Sequence, residues 1–179
     1  MDSEKSFHAT LRMFDAHVNL LETLHGKPAM ATISSFSGGF FTGKPQTHDH
    51  SHLLGMRAEA QGTDPTQLTL HFRPTSHGYI LTLKNPGEYH NAVISKSWLE
   101  VLGAVHPHTV NPTRFILIDQ QHNIITRKNI NAQHTPISLM TATNKYVGGL
   151  RVRGSPYLYL AETEEKAKIT FILSPRMEK

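Results

Sequence analysis

The chain has 179 residues, of which 38% are hydrophobic and 18% are charged, and it contains no cysteine. This length and composition are typical of one soluble globular domain with a buried core. The missing thiols exclude disulfide bonds, cysteine nucleophiles and thiolate metal sites. The net charge is +4 and the pI is about 9.4, but the basic residues are scattered along the chain, so the sequence does not favour nucleic-acid binding.

Charged residues occupy the N-terminal stretch MDSEKSFHATLRMFD, where a secretory signal would need an apolar core. No apolar run approaches the length of a membrane span. We therefore expect a chain without a membrane span, located in the cytoplasm or exported without a cleaved signal peptide.

The first predicted element is an amphipathic α-helix within residues 1–30. Apolar side chains recur there at the spacing of one helical face, at Leu11, Phe14, Val18, Leu21 and Leu24. Gly26 and Pro28 then supply stop signals. One amphipathic helix does not stabilise itself, so we expect this helix either to pack on the rest of the chain or to be appended to it for a partner.

From residue 31 onward, short apolar runs broken by Gly, Pro, Asn and Asp predict an all-β unit. Three segments end in an aromatic-bearing apolar strand followed by a polar turn: QLTLHFRP (67–74), TRFILIDQ (113–120) and KITFILSP (168–175). Self-similarity of this kind is typical of repeat architectures. The pattern predicts three repeats at about 31–78, 79–122 and 136–175.

Each predicted repeat also has a turn that runs into an aromatic residue, GGF (38–40), GEY (87–89) or NKY (144–146). With these turns, residues 31–179 resemble the β-trefoil superfamily, and the turns are most similar to those of fascin-like and lectin-like trefoils. The resemblance implies a six-stranded barrel capped by three hairpins. It also implies a barrel core formed by Leu68, Leu70, Phe72, Phe115, Leu117, Phe171 and Leu173.

The resemblance implies a non-enzymatic recognition module that binds a carbohydrate or a protein partner, as a lectin or an effector does. No catalytic residue and no cofactor are expected. The Q-x-W ending of ricin-type sugar-binding units does not occur, because the only tryptophan, Trp98, lies in a different predicted strand. The candidate ligand-binding residues are Tyr89 and Trp98, for stacking, and His90 and Asn91, for hydrogen bonding.

A histidine-rich run, QTHDHSHLL (46–54), has two interpretations. On an extended strand, His48, His50 and His52 would point to one face, and imidazole is a good ligand for zinc, copper or nickel. The alternative function is therefore a metal-dependent cupin-like enzyme that uses these three residues. Against it, Gly43 and Pro45 precede the run, as in a solvated turn, which makes it an enlarged loop of the first repeat with no functional metal.

Overall fold

The computed structural model of the chain describes residues 5–37, 40–58, 66–108 and 111–177, and only the backbone of 34–37 and 40–44 is considered. The GGF turn predicted at 38–40 lies partly outside the described residues. Over the described residues the structure is all-β, with far more residues in strands than in helices. Within the described ranges, no helix is long and apolar enough to cross a membrane.

Strands follow one another along almost the whole described chain. In chain order they are β1 (Phe7–Met13), β2 (Ala16–Leu20), β3 (Met30–Ser37), β4 (Phe40–Asp49), β5 (Leu54–Ala58), β6 (Leu68–Thr75), β7 (Gly78–Leu83), β8 (Val93–Trp98), β9 (Val101–Val105), β10 (Phe115–Ile118), β11 (Ile124–Ile125), β12 (Thr135–Thr141), β13 (Tyr146–Arg151), β14 (Leu158–Thr163) and β15 (Phe171–Pro175). A short helix, α1 (Leu21–His25), follows β2, and two 3-10 turns lie at Arg127–Asn129 and Glu165–Ala167.

Nine of these strands close into an antiparallel barrel. Neighbouring strands around the ring are β12, β15, β1, β6, β7, β8, β9, β14 and β13, and β13 returns to β12. The remaining strands of this sheet attach to the ring: β10 pairs with β12 and β7, β11 with β10, β5 with β14, and β2 with β5. The β3–β4 hairpin forms a separate sheet. Closure leaves no free edge within the ring itself.

The barrel core is built by strands whose side chains alternate between the inside and the outside. In β1, Phe7, Ala9 and Leu11 are buried, and the ring of Phe7 stacks on that of Phe72 with centroids 4.7 Å apart. The predicted core is confirmed, since every member is at most 1% exposed: Leu68, Leu70, Phe72, Phe115, Leu117, Phe171 and Leu173.

The predicted N-terminal amphipathic helix is wrong. Twelve residues of that segment form β1 and β2, and among its described residues, 5–30, the only helix is the five-residue α1. β1 pairs on one side with β15 and on the other with β6, so long-range backbone hydrogen bonds replace the local ones of a helix. Phe14, assigned to the apolar helical face, lies between the strands and is 84% exposed.

The predicted β-trefoil is also wrong. The finding that overturns it is the closed nine-strand barrel with extra strands, in which a strand from before the first predicted repeat takes part. The turns and aromatic strands of the repeats show where strands begin and end, but strand pairing depends on residues far apart in the chain. The pairing of Phe7 with Phe72 in adjacent strands is one example.

A candidate ligand-binding site around Trp98

A small apolar cluster lies apart from the main barrel core and supports the candidate site. Its buried members are Leu21, Ala29, Leu53, Val101, Tyr159 and Ala161, and Trp98 and Tyr157 pack against them. The segment that carries His52 reaches this cluster by pairing with β9, where Leu53 forms an antiparallel bridge with Gly103. A Cβ atom there would lie 3.0 Å from the carbonyl oxygen of His52 and 2.9 Å from the Leu53 side chain, so a glycine is needed for this close approach.

His50 occupies the base of the site. It directly follows β4, its backbone N–H donates to the carbonyl oxygen of Ala29 (2.7 Å), and its side chain is only 2% exposed. Nδ1 of His50 lies 2.7 Å from the hydroxyl oxygen of Tyr159, which in turn lies 2.6 Å from Oγ of Ser155. These three side chains form a polar chain that fixes the orientation of the imidazole.

His50 is held in its neutral form. Its pKa is lowered from the ordinary value of 6.5 to about 4, mainly by burial and in addition by the neighbouring His48 and His52, while Asp49 acts in the opposite direction. Nε2 of His50 is also buried and has no hydrogen-bond partner among the described residues. A proton there would be a buried, unpaired donor, which is costly.

Trp98 packs against this imidazole, with the two ring planes tilted by 43°. Its ring centroid is 4.3 Å from that of His50, 5.7 Å from that of Tyr159 and 6.3 Å from that of His48. The register of β8 with β9 shifts between Lys96 and Trp98, and such a bulge changes the direction of the following side chain. The indole is half-buried, so one part of it packs on His50 and another part is open to solvent.

His52 and Tyr89 extend the site beyond the indole. Nε2 of His52 lies 2.9 Å from Oγ of Ser97, the residue before Trp98, and the His52 and Tyr89 ring centroids are 6.4 Å apart. Burial lowers the pKa of His52, while Asp49 acts to raise it. We call the surface formed by His48, His52, Tyr89 and Trp98, with His50 beneath it, the Trp98 face.

The predicted ligand-binding residues fall into two groups. Tyr89 and Trp98 both belong to the Trp98 face, and His52 with Ser97 connects them. His90 and Asn91 lie exposed on the turn after Tyr89. There, Nδ1 of His90 lies 3.3 Å from the carbonyl oxygen of Asn85, and the Lys84 ammonium donates to the side chain of Asn91 (2.7 Å).

The histidine run and Trp98 were predicted as separate candidates, whereas the structure brings them together. Ser155 and Tyr159 were not predicted. Tyr157 and Tyr159 alternate with leucines in YLYLA (157–161), and this period-2 pattern places both tyrosines on one face of a strand. Tyr159 is 109 positions from His50 in the chain. No local pattern therefore predicts the hydrogen bond between them.

The cupin-like alternative requires several ligands around one point. In the part of the chain that the structure describes, no group of three or more histidine, cysteine or acidic side chains is placed to hold a metal ion. One nitrogen of His50 faces Tyr159, and one nitrogen of His52 faces Ser97. The described geometry therefore gives this alternative no ligand set.

Comparisons with known proteins give no match to any family model, curated protein or solved structure. The functional inference therefore rests on the geometry of the Trp98 face.

Proposed function

We propose that this protein is a non-enzymatic recognition module that binds a carbohydrate on the Trp98 face. The observation that carries this proposal is the half-open indole of Trp98 packed at a tilt of 43° against the buried imidazole of His50, with centroids 4.3 Å apart. An aromatic ring that is apolar on its face and rigidly held offers a flat surface on which the C–H groups of a sugar ring can rest.

The surroundings of the indole supply polar groups for the sugar hydroxyls. His52 and Ser97 form a polar pair at one side of the indole. Tyr89 is partly buried near His52. Asp49, the last residue of β4, is exposed just before the turn that carries His52. A platform with a few placed polar groups is the usual composition of a small-molecule site.

The interactions beneath the indole prepare the site before a ligand arrives. The Ser155–Tyr159–His50 chain fixes the imidazole on which Trp98 packs. A surface fixed in advance loses less side-chain entropy when it binds. Neutral His50 also puts no charge under the ring, so the site favours an uncharged ligand surface.

Trp98 is the only tryptophan in the chain, so its fluorescence reports on this site alone. The purified protein is first screened on a glycan array, and glycans that bind are then titrated while Trp98 emission is recorded. We expect a saturable change for at least one glycan. The substitutions His52→Ala and Tyr89→Ala should each weaken binding by about tenfold, the loss of roughly one good contact.

A matched control comes from the neighbouring turn. His90 is exposed and bonds to Asn85 rather than to the Trp98 face, so His90→Ala should bind like the wild type. The carbohydrate proposal is abandoned if no glycan alters Trp98 emission, or if His90→Ala weakens binding as much as His52→Ala does.

A protein partner is the second candidate, and Leu99 favours it. This side chain directly follows Trp98, is 68% exposed, and has a φ of 51°. A non-glycine residue in the left-handed region costs about 1–2 kcal/mol, and an exposed leucine gains nothing from burial in the free chain. Tryptophan is a typical hot-spot residue of protein interfaces, and the exposed Leu99 would add apolar contact area beside it.

The two candidates predict different responses at Leu99. Leu99→Asp removes the apolar anchor and Leu99→Gly relieves the backbone strain, whereas neither alters the indole. If the ligand is a sugar, both variants should retain glycan binding. If the ligand is a protein, both should lose binding of a purified partner, and Leu99→Asp should lose more because it places a charge in the interface.

A further inference from the structure

A second region of interest lies on the outside of the barrel, and its strands carry no acidic residues. The four adjacent strands β15, β1, β6 and β7 have the sequences FILSP, FHATLRM, LTLHFRPT and GYILTL, which contain no Asp or Glu. Their inward side chains fill the core, and their outward side chains include histidine, arginine, serine and threonine. This composition gives the outer face a positive charge that no carboxylate of these strands offsets.

The centre of this face is a pair of histidines. His8 of β1 lies directly opposite His71 of β6, and their ring centroids are 4.7 Å apart. His71 is in turn opposite Thr82 of β7. On the other side of His8, its carbonyl oxygen accepts the backbone N–H of Arg176 (2.8 Å). Opposed residues of antiparallel strands share a face, so Arg176, His8, His71 and Thr82 form one row, which we call the imidazole row.

A parallel row next to it supplies hydroxyl groups and further positive charge. Thr10 lies opposite Ser174 on one side and Thr69 on the other. The backbone N–H of Lys84 donates to the carbonyl oxygen of Thr69 (2.9 Å). Nδ1 of His134 lies 2.6 Å from Oγ of Ser174. The two rows therefore place imidazoles, hydroxyls and basic side chains side by side.

The basic side chains here are not neutralised within the described part of the chain. The acidic partners of the ion pairs there are Glu100, Glu162, Glu164 and Glu165, and none of them belongs to these strands. Arg12, Arg73, Lys84 and Arg176 form no ion pair with a described carboxylate. Their charges are available to an external anion.

We propose that the imidazole row binds an oxyanion, a sulfate or phosphate group, either free or as an ester on a larger ligand. The anion lies over His8 and His71, receives N–H donors from both imidazoles, and is flanked by Arg176 on one side and the Thr82 hydroxyl on the other. Charge-assisted hydrogen bonds of this kind are stronger than neutral ones. This site is separate from the Trp98 face and does not depend on the proposed function.

The site should bind more tightly in mild acid. Burial lowers the pKa of His71, and so do the neighbouring charges of His8, Lys84 and Arg73. The other groups that face the pair are Arg176 and His134, and they add no negative charge. A bound anion opposes this repulsion and favours the protonated pair, so by linkage protonation strengthens anion binding.

Sulfate is the probe, because its own charge does not change between pH 5.5 and pH 7.5. Its binding to the full chain is followed from the side-chain NMR signals of the histidines. We expect the dissociation constant to fall by about tenfold from pH 7.5 to pH 5.5, which corresponds to an average uptake of about half a proton per sulfate bound across this range. Sulfate should raise the pKa of His71 and leave that of His50 unchanged.

The double variant His8→Gln, His71→Gln tests the row, and the control is His77→Gln, His90→Gln, which removes two exposed histidines elsewhere. The first variant should lose the pH dependence and most of the affinity, and the control should keep both. A sulfated oligosaccharide, tested in parallel, identifies the source of the anion. Tighter binding than that of sulfate indicates an ester on a larger ligand, and equal binding indicates the free ion.

Two results would overturn the proposal. One is sulfate binding that is the same at both pH values and in the double variant, which would show only general attraction to a basic chain. The other is no perturbation of the His8 and His71 signals by either ligand at pH 5.5. The thermal transitions of both double variants are recorded alongside, so that loss of folding is recognised.

Discussion

The Trp98 face and the imidazole row use the same residue type in opposite settings. His50 is 2% exposed, its pKa is about 4, and it serves as a neutral support under an indole. His8 and His71 are half-buried on the outside of the barrel among basic side chains. Depth of burial thus separates a histidine that orients an aromatic ring from histidines that can gain charge with an anion.

Removing β1 and β2 should have the largest effect on stability, because these strands belong to the sheet that supports both regions. Deletion of residues 1–27 removes two strands that pair with β15, β6 and β5, together with Phe7 and Leu11 of the core. We expect no cooperative thermal transition in circular dichroism. As a control, Phe14→Ser alters an 84% exposed side chain and should change the free energy of unfolding by less than about 0.5 kcal/mol. A truncated chain that still unfolds cooperatively would contradict this account of the fold.

Acid should weaken the protein through His50. Between pH 6.5 and about 4, the unfolded chain binds a proton at this residue that the folded chain does not. The free energy of unfolding should therefore fall as the pH is lowered through this window, by up to about 3 kcal/mol. Denaturant unfolding at several pH values measures the slope of the free energy of unfolding against pH.

The substitution His50→Asn isolates this contribution, since the amide can still bond to Tyr159 but does not titrate. It should flatten the slope between pH 6.5 and 4, whereas His90→Asn should leave it as in the wild type. Equal slopes in His50→Asn and the wild type would show that His50 is not the buried neutral group described above.

Loss of the Tyr159 hydroxyl should have an intermediate effect. Tyr159→Phe removes the link between Ser155 and His50 and leaves both nitrogens of that imidazole without partners. We expect a loss of roughly 1–3 kcal/mol in the free energy of unfolding. The control, Tyr157→Phe, removes a hydroxyl that has no hydrogen bond among the described residues, and it should be nearly neutral. Equal losses in the two variants would argue against the polar chain.

The smallest effect on stability is expected on the imidazole row. His71→Gln alters a half-buried outer side chain and should change the free energy of unfolding at pH 7.5 by no more than about 0.5 kcal/mol. Chemical denaturation measures this change. A loss as large as that of Tyr159→Phe would mean that His71 is a structural residue rather than part of a binding surface.

The sequence predicted the barrel core better than the fold. The apolar, aromatic-bearing strands around Phe72, Phe115 and Phe171 were recognisable, and all three residues are buried. The helix prediction failed because residues 6–25 carry two periodicities at once. Leu11, Phe14 and Val18 fit a helix, whereas Phe7, Ala9 and Leu11 alternate as in a strand, and distant partners in β6 and β15 decide between them.

The candidate site could be predicted only in part, for the same reason. The alternation of His48, His50 and His52 was visible in the sequence, and the first two rings do stack, with centroids 5.8 Å apart. Nothing in the sequence indicated that His50 would be buried under Trp98 or bonded to Tyr159. Those contacts depend on the packing of β4, β8 and β14, and packing between distant strands leaves no local pattern.

An NMR titration of the histidine side chains distinguishes the two regions directly. His50 should titrate near pH 4 and be insensitive to sulfate, whereas the pKa of His71 should lie below 6.5 and rise when sulfate binds. A His50 that titrates near 6.5, together with a His71 that sulfate leaves unchanged, would contradict the difference between the two regions.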